Sequence, residues 1–146
     1  MTPEYCPLPS RPTATETAAV DRMLKAKRIA VVGLSDDPSR PSHGIASYLM
    51  AHGYEVIGVN PTHEKVFGQK CYARLADVPG IVDLVNVFRR GEFCADAARD
   101  AIAAGAKGVW LQSGIRNDEA RRLADDAGID FVHDRCIMVE HMQRRR

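Results

Sequence analysis

The sequence predicts a three-layer αβα fold built on a doubly wound, mainly parallel sheet. Three observations predict it. Short apolar runs alternate with amphipathic segments, the pattern of strand–helix–strand units in a parallel sheet. Runs such as "IAVV" and "LVNVF" are almost continuously apolar, as strands buried on both faces require. The 146 residues are 45% hydrophobic and 27% charged with a net charge of +1, the balance of an ordinary globular unit of one domain.

The elements follow in order. Residues 1–12 carry four prolines and are expected to run extended or partly disordered ahead of a single domain spanning 13–146. "TATE" opens the first helix: Thr13 can cap it and Glu16 completes a capping box, with Val20, Met23 and Leu24 on its apolar stripe. "RIAVVG" (28–33) is the first strand. "SHGIASYLMAHG" (42–53) is a helix with Ile45, Leu49 and Met50 facing inward and Gly53 as its stop. "YEVIGVN" (54–60) is the second strand and "QKCYA" (69–73) a short third. "VDLVNVF" (82–88) is the fourth strand, followed by the helix "EFCADAARDAIAAG" (92–105). "AKGVWLQ" (106–112) is the fifth strand. The next helix, "NDEARRLADDAG" (117–128), has Asn117 as its cap and Asp118 and Glu119 where its dipole favours them. "IDFVH" (129–133) is the last strand, and "RCIMVEHM" (135–142) a turn or short helix. The natural order for six such strands is 3-2-1-4-5-6.

Several function classes are disfavoured. A net charge of +1 supplies no field for nucleic acid, and the terminal "RRR" reads as a solvated end that suits a helix C-terminus. No apolar run is long enough for a membrane span, and "MTPEYCPLPSRP" is not a secretory signal. Four cysteines without C-x-x-C spacing fit neither a zinc site nor a disulfide framework. A cytoplasmic protein with reduced thiols is the expectation, with no metal, nucleic-acid or membrane partner. A homodimer or a partner protein stays open.

In a doubly wound sheet the ligand crevice opens at the C-terminal strand ends, where the order reverses. That point falls between the first and fourth strands, flanked by "GLSDDPSRPSHG" and "FRRGE", with "NPTHEK", "QSGIRN" and "HDRC" on the same edge. Gly33 permits a sharp turn and close approach to a ligand. Ser35 and Ser42 can donate to phosphate, Arg40 can offer a fork, and the helix start attracts anions. Ser42 serves equally well as a plain helix cap. A G-x-G-x-x-G dinucleotide fingerprint would need glycines where Ser35 and Pro38 stand, and an acid ending the second strand where Asn60 and Pro61 stand. These departures argue against NAD. Lys65 and His63 nearby suit an adenosine that carries an extra ribose phosphate, as in NADP or coenzyme A.

"IAVVGLSDDPSRPSHGIASYLMAHGYEVIGVNP", "DLVNVFRR", "GAKGVWLQSG" and "DRCIMVEH" together resemble the small stand-alone coenzyme A-binding proteins of bacteria. These in turn resemble the N-terminal CoA-binding domain of the succinyl-CoA synthetase alpha subunit. The likeness covers 27–142. It implies a Rossmann-like fold and coenzyme A, or an acyl-CoA, as ligand. By that likeness Gly33, Leu34, Ser35, Ser42 and His43 receive the pyrophosphate, and Asn60, Pro61 and Lys65 border the adenosine. Val87, Phe88 and Arg89 wall the crevice, and Gln112 and Ser113 border the pantetheine. Many relatives carry a lysine directly after Asn-Pro, where this chain has Thr62. The synthetase also uses a phosphorylated histidine in a further domain and a beta subunit, so its reaction is not expected here.

His43, His133 and His141 can titrate near neutral pH, but none belongs to a recognisable catalytic arrangement. Cys136 follows Arg135, a cation that favours thiolate. By the family likeness Cys136 lies near the ligand edge, and it reads either as a partner for the CoA thiol in a mixed disulfide or as a packing residue. The leading expectation is a non-catalytic CoA-binding protein that senses or carries its ligand. A CoA-handling subunit of a multi-chain acyl-CoA ligase and an NAD(P)-binding redox module are the alternatives.

Overall fold

The computed structural model describes residues 14–145. Thr13, the expected cap of the first helix, and the proline-rich residues 1–12 lie outside them. In chain order come α1 (Ala14–Met23), β1 (Arg28–Val32), α2 (Pro41–Ala51), β2 (Glu55–Val59), β3 (Lys65–Val66), β4 (Gln69–Lys70) and β5 (Leu84–Val87). Then follow α3 (Cys94–Ala103), β6 (Gly108–Leu111), α4 (Asp118–Ala127), β7 (Asp130–Val132) and α5 (Ile137–Gln143).

The main sheet has five parallel strands in the order β2-β1-β5-β6-β7. Successive side chains of a strand point to opposite faces, and the burial follows that rule. Ala30, Val32, Val85, Val87, Val109 and Leu111 pack with the alanines of α3 and α4. Ile29, Val31, Leu84, Trp110 and Val132 pack with α1, α2 and Ile137 of α5. The result is the Rossmann-like αβα arrangement, with a core on each face of the sheet.

Local rules set the helix ends. Asn117 caps α4, its side chain accepting from Ala120 N at 2.7 Å, and Gly128 ends it in the left-handed region at φ 74°. A 3-10 turn, Gly91–Phe93, precedes α3 and trims the expected helix at its start.

Two expectations need correction. Ser42 does not cap α2. Pro41 takes the first helical position, which its fixed φ suits, so Arg40 becomes the capping residue without a side-chain bond. Ser42 thereby moves inside the first turn and is buried. The third strand does not join the main sheet as a full member. Gln69–Lys70 pairs antiparallel with Lys65–Val66 across the turn Phe67-Gly68, whose φ values are 58° and 71°. A two-residue turn closes a local pairing at low entropic cost. What remains beside β2 is one parallel bridge, Val59 to Tyr72. Tyr72 N donates to Gly58 O at 2.9 Å, and Asn60 N donates to Tyr72 O at 2.8 Å.

Candidate functional site

The strand order reverses between β1 and β5, and there the C-terminal edge opens. Gly33 follows β1 with φ +89°. A Cβ on it would lie 3.2 Å from the Phe88 carbonyl oxygen and 3.4 Å from Arg89 Cγ. Gly33 N donates to Val59 O at 2.8 Å, and Phe88 N donates to Val32 O at 2.8 Å. The ends of β2, β1 and β5 are thus tied into a low saddle of backbone, where a side chain at 33 would be strained and crowded.

Side chains organise the loop beyond it. Ser42 Oγ accepts from Ser35 N at 3.0 Å, and Ser35 Oγ accepts from Asp37 N at 3.0 Å. Asp37 Oδ1 accepts from Ser39 N and Ser39 Oγ, which holds that carboxyl below its usual range. Asn60 Nδ2 donates to Leu34 O at 3.0 Å. Its Oδ1 accepts from Thr62 N at 2.9 Å and Thr62 Oγ1 at 2.7 Å. Asn60 therefore braces two loops, and its oxygen is already engaged.

On the α2 and α5 side of the saddle lies a cleft of about 600 Å³. Gly33, Ser35, Arg40, Ser42 and Asn60 line it, together with Phe88, Gln112, Ser113 and Cys136. The sequence reading did not single out Pro41, Ile45 or Ile115 as site residues, although they also line it. His63, noted beside Lys65, lies there too, with Nε2 3.7 Å from Asp36 Oδ1. The start of α2 borders this cleft, so its dipole favours an anion there.

On the α3 side lies a smaller cleft of about 300 Å³. Val59, Pro61, Leu75 and Phe93 give it apolar walls, and Arg74 and Arg89 stand among its lining residues. Pro61 and Arg89 thus belong to this second cleft rather than the first. Leu34 and Val87 are core residues, 2% and 0% exposed. His43 stacks on Phe67 with ring centres 4.3 Å apart. Lys65 is exposed on β3, paired in register with Lys70, and lines neither cleft.

Gln112 is 4% exposed, and its Oε1 accepts from Asn86 Nδ2 at 3.2 Å and Ile137 N at 3.0 Å. It joins β5, β6 and the start of α5 at the cleft. Asn86 is fully buried, and its Oδ1 has no hydrogen-bond partner among the described residues. The polar residue inside "LVNVF" was the sequence signal for this spot. Cys136 is the residue before α5, partly exposed. The neighbouring Arg135 guanidinium meets Glu16 at 3.3 Å.

The other histidines hold structural contacts. His133 is 8% exposed and Nδ1 accepts from Asn117 N at 3.4 Å. Burial, and then Arg116 and Arg121, push its pKa below the usual value. His141 Nδ1 is 2.8 Å from Tyr48 OH, and burial, His52 and Arg145 lower its pKa. No group of three or more metal-ligating side chains occurs among the described residues, and none of their helices is long and apolar enough to cross a membrane.

A saddle of glycine backbone beside a helix N-terminus, with a cleft on each side, fits a long ligand with a phosphate-bearing middle. The chain is 41% identical over 119 residues to the YneT protein of Bacillus subtilis (strain 168), covering 82% of this chain and 88% of that one. It is 31% identical over 129 residues to the alpha subunit of the ADP-forming acetate–CoA ligase II of Pyrococcus furiosus, covering 81% of this chain but 28% of that one. A hypothetical protein of Pyrococcus horikoshii OT3 superimposes with a TM-score of 0.86 at 38% identity, over 92% of this chain and 96% of that one. The family model described as "CoA binding domain" matches residues 27–142, and the chain belongs to that family.

Proposed function

We propose that residues 13–146 form one unit that binds coenzyme A, or an acyl-CoA, along the C-terminal sheet edge. In this reading the protein senses or carries the ligand in the cytoplasm and does not transform it. The observation that carries the reading is the Gly33 turn, which lies beside the start of α2, presses against Phe88 and Arg89, and lines the larger cleft, while its neighbours Val32 and Arg89 line the smaller one. The ligand's diphosphate crosses the saddle, with Ser35 and Arg40 at hand. Its pantetheine arm follows the larger cleft towards Gln112, Ser113 and Cys136. Gln112 offers the arm's amides a polar wall, and Phe88, Ile45 and Ile115 offer its methylenes an apolar one.

Two further observations support the reading. NAD would need an acceptor at the end of β2, and the Asn60 oxygen is occupied by Thr62. His43, His133 and His141 are engaged by Phe67, Asn117 and Tyr48 respectively, outside the larger cleft, and His63, which lines it, faces Asp36 at 3.7 Å. A thermal-shift panel tests the ligand. Ligand at a hundredfold excess over Kd stabilises the fold by about 2.7 kcal/mol, or roughly 5–11 °C in Tm. CoA is expected to give that shift. A shift with NADP and none with CoA overturns the reading.

A second reading has one observation behind it. The chain spans 28% of the length of the ligase alpha subunit that it matches, so in that relative the likeness covers one part of a larger enzyme. As a CoA-handling piece of such an assembly, the protein would support acyl-CoA formation when mixed with a nucleotide-handling subunit, an organic acid and CoA. Acyl-CoA formation in that mixture, absent without this chain, decides for it.

A further inference from the structure

We propose that Arg74 and Arg89 recognise the ribose 3′-phosphate of coenzyme A in the smaller cleft. The inference rests on the CoA reading above. CoA carries its diphosphate between two unlike ends: a flexible pantetheine arm, and an adenosine with a phosphate on the ribose. With the diphosphate on the saddle, each end enters one cleft.

The smaller cleft has the chemistry of the adenosine end. Phe93 is 43% exposed and offers an aromatic surface, with Pro61 and Val59 as further apolar walls. The Asp100 carboxylate lines the cleft and makes no ion pair among the described residues, which suits an exocyclic amine. Asp96, the other acid, is bound by Arg99 at 2.8 Å.

Two guanidiniums complete the set. The Arg89 stem packs against Gly33, and its guanidinium carbon lies 5.2 Å from the Phe93 ring centre, between saddle and base. The Arg74 side chain is 75% exposed, and its link to Asp77 is long, at 3.6 Å. It can turn to a phosphate at little cost, and a guanidinium fork matches phosphate oxygens in pairs. Thr62 brings no charge to the position after Asn60-Pro61, and its hydroxyl donates to Asn60. Lys65 is carried on β3 outside both clefts, so the hairpin removes it from this role.

The test is titration calorimetry of the full chain with CoA and with 3′-dephospho-CoA. The wild type is expected to prefer CoA by about tenfold or more, the scale of charge-assisted hydrogen bonds to one phosphate. Arg74→Gln with Arg89→Gln should reduce the preference to near unity by weakening CoA and sparing the dephospho form. Lys65→Gln should retain the preference in full. Equal wild-type affinity for the two ligands overturns the inference and leaves the CoA reading intact. So does a preference that survives the double substitution or is lost in Lys65→Gln. Failure of both ligands to bind overturns the CoA reading and the inference together.

Discussion

Replacing Gly33 with alanine adds one methyl group at the point where three strand ends meet. At φ +89° an alanine is held in a region that L-residues avoid, at a cost of about 1–2 kcal/mol. The new Cβ would also sit 3.2 Å from the Phe88 carbonyl oxygen, inside comfortable contact, and β5 cannot retreat without disturbing Phe88 N to Val32 O. Adding a contact penalty of about 1 kcal/mol gives roughly 2–3 kcal/mol in all, or a Tm lower by roughly 4–12 °C for a chain of this size. Gly44→Ala is the control. Gly44 lies in α2, and a Cβ there meets nothing within 4 Å, so alanine should be neutral or add up to about 1 kcal/mol. Thermal melts of the two variants, with and without CoA, make the comparison. Gly33→Ala should melt lower and lose most of its CoA-induced shift, and Gly44→Ala should lose neither. A Gly33→Ala protein with wild-type Tm and wild-type CoA shift would refute the saddle argument.

Other expectations follow from the same geometry. Ser42→Ala removes the acceptor for Ser35 N, so it should cost about 1–2 kcal/mol in denaturant melts and weaken CoA binding through a looser loop. His133 and His141 have pKa values below 6.5 in the folded state, so the unfolded chain takes up their protons first as pH falls. The stability at neutral pH should therefore decline as pH drops below about 6.5 and through the folded pKa values. His133→Gln should flatten that decline, and an unchanged slope in melts across this range contradicts the burial argument. Cys136 lines the larger cleft, whereas Cys71 and Cys94 are buried and burial pushes the Cys94 thiol up to about 11. In a Cys6→Ser background, CoA disulfide should exchange with the Cys136 thiolate, forming one protein–CoA disulfide and releasing one CoA thiolate. Intact mass spectrometry should show a single adduct that Cys136→Ser abolishes. Adducts that persist in that variant contradict the assignment.

The strands of the main sheet were legible because each is an apolar run, and burial on both faces demands that pattern. The crevice at the C-terminal edge was legible because the reversal of strand order fixes where loops converge. The helix starts were less so. Asn117 behaves as its side chain predicts, whereas Pro41 claims the first turn of α2 and moves Ser42 from cap to loop brace. The hairpin escaped notice because Phe67 carries no turn signature, yet it adopts φ 58° with His43 stacked on its ring. That one turn leaves Lys65 exposed on β3, outside the lining of both clefts. The smaller cleft draws Arg74, Leu75 and Phe93 from segments between the main strands, so no local pattern announces it. Asn86 was readable as a polar residue in a buried strand, but its pairing with Gln112 depends on the register of β5 and β6.

In the proposed function the Gly33 saddle holds the diphosphate of CoA. Titration calorimetry of CoA into the full chain, repeated in the presence of NADP, tests it most directly. One CoA per chain is expected, undiminished by NADP and abolished or strongly weakened in Gly33→Ala. No heat with CoA, or CoA binding equally strong in Gly33→Ala, contradicts it.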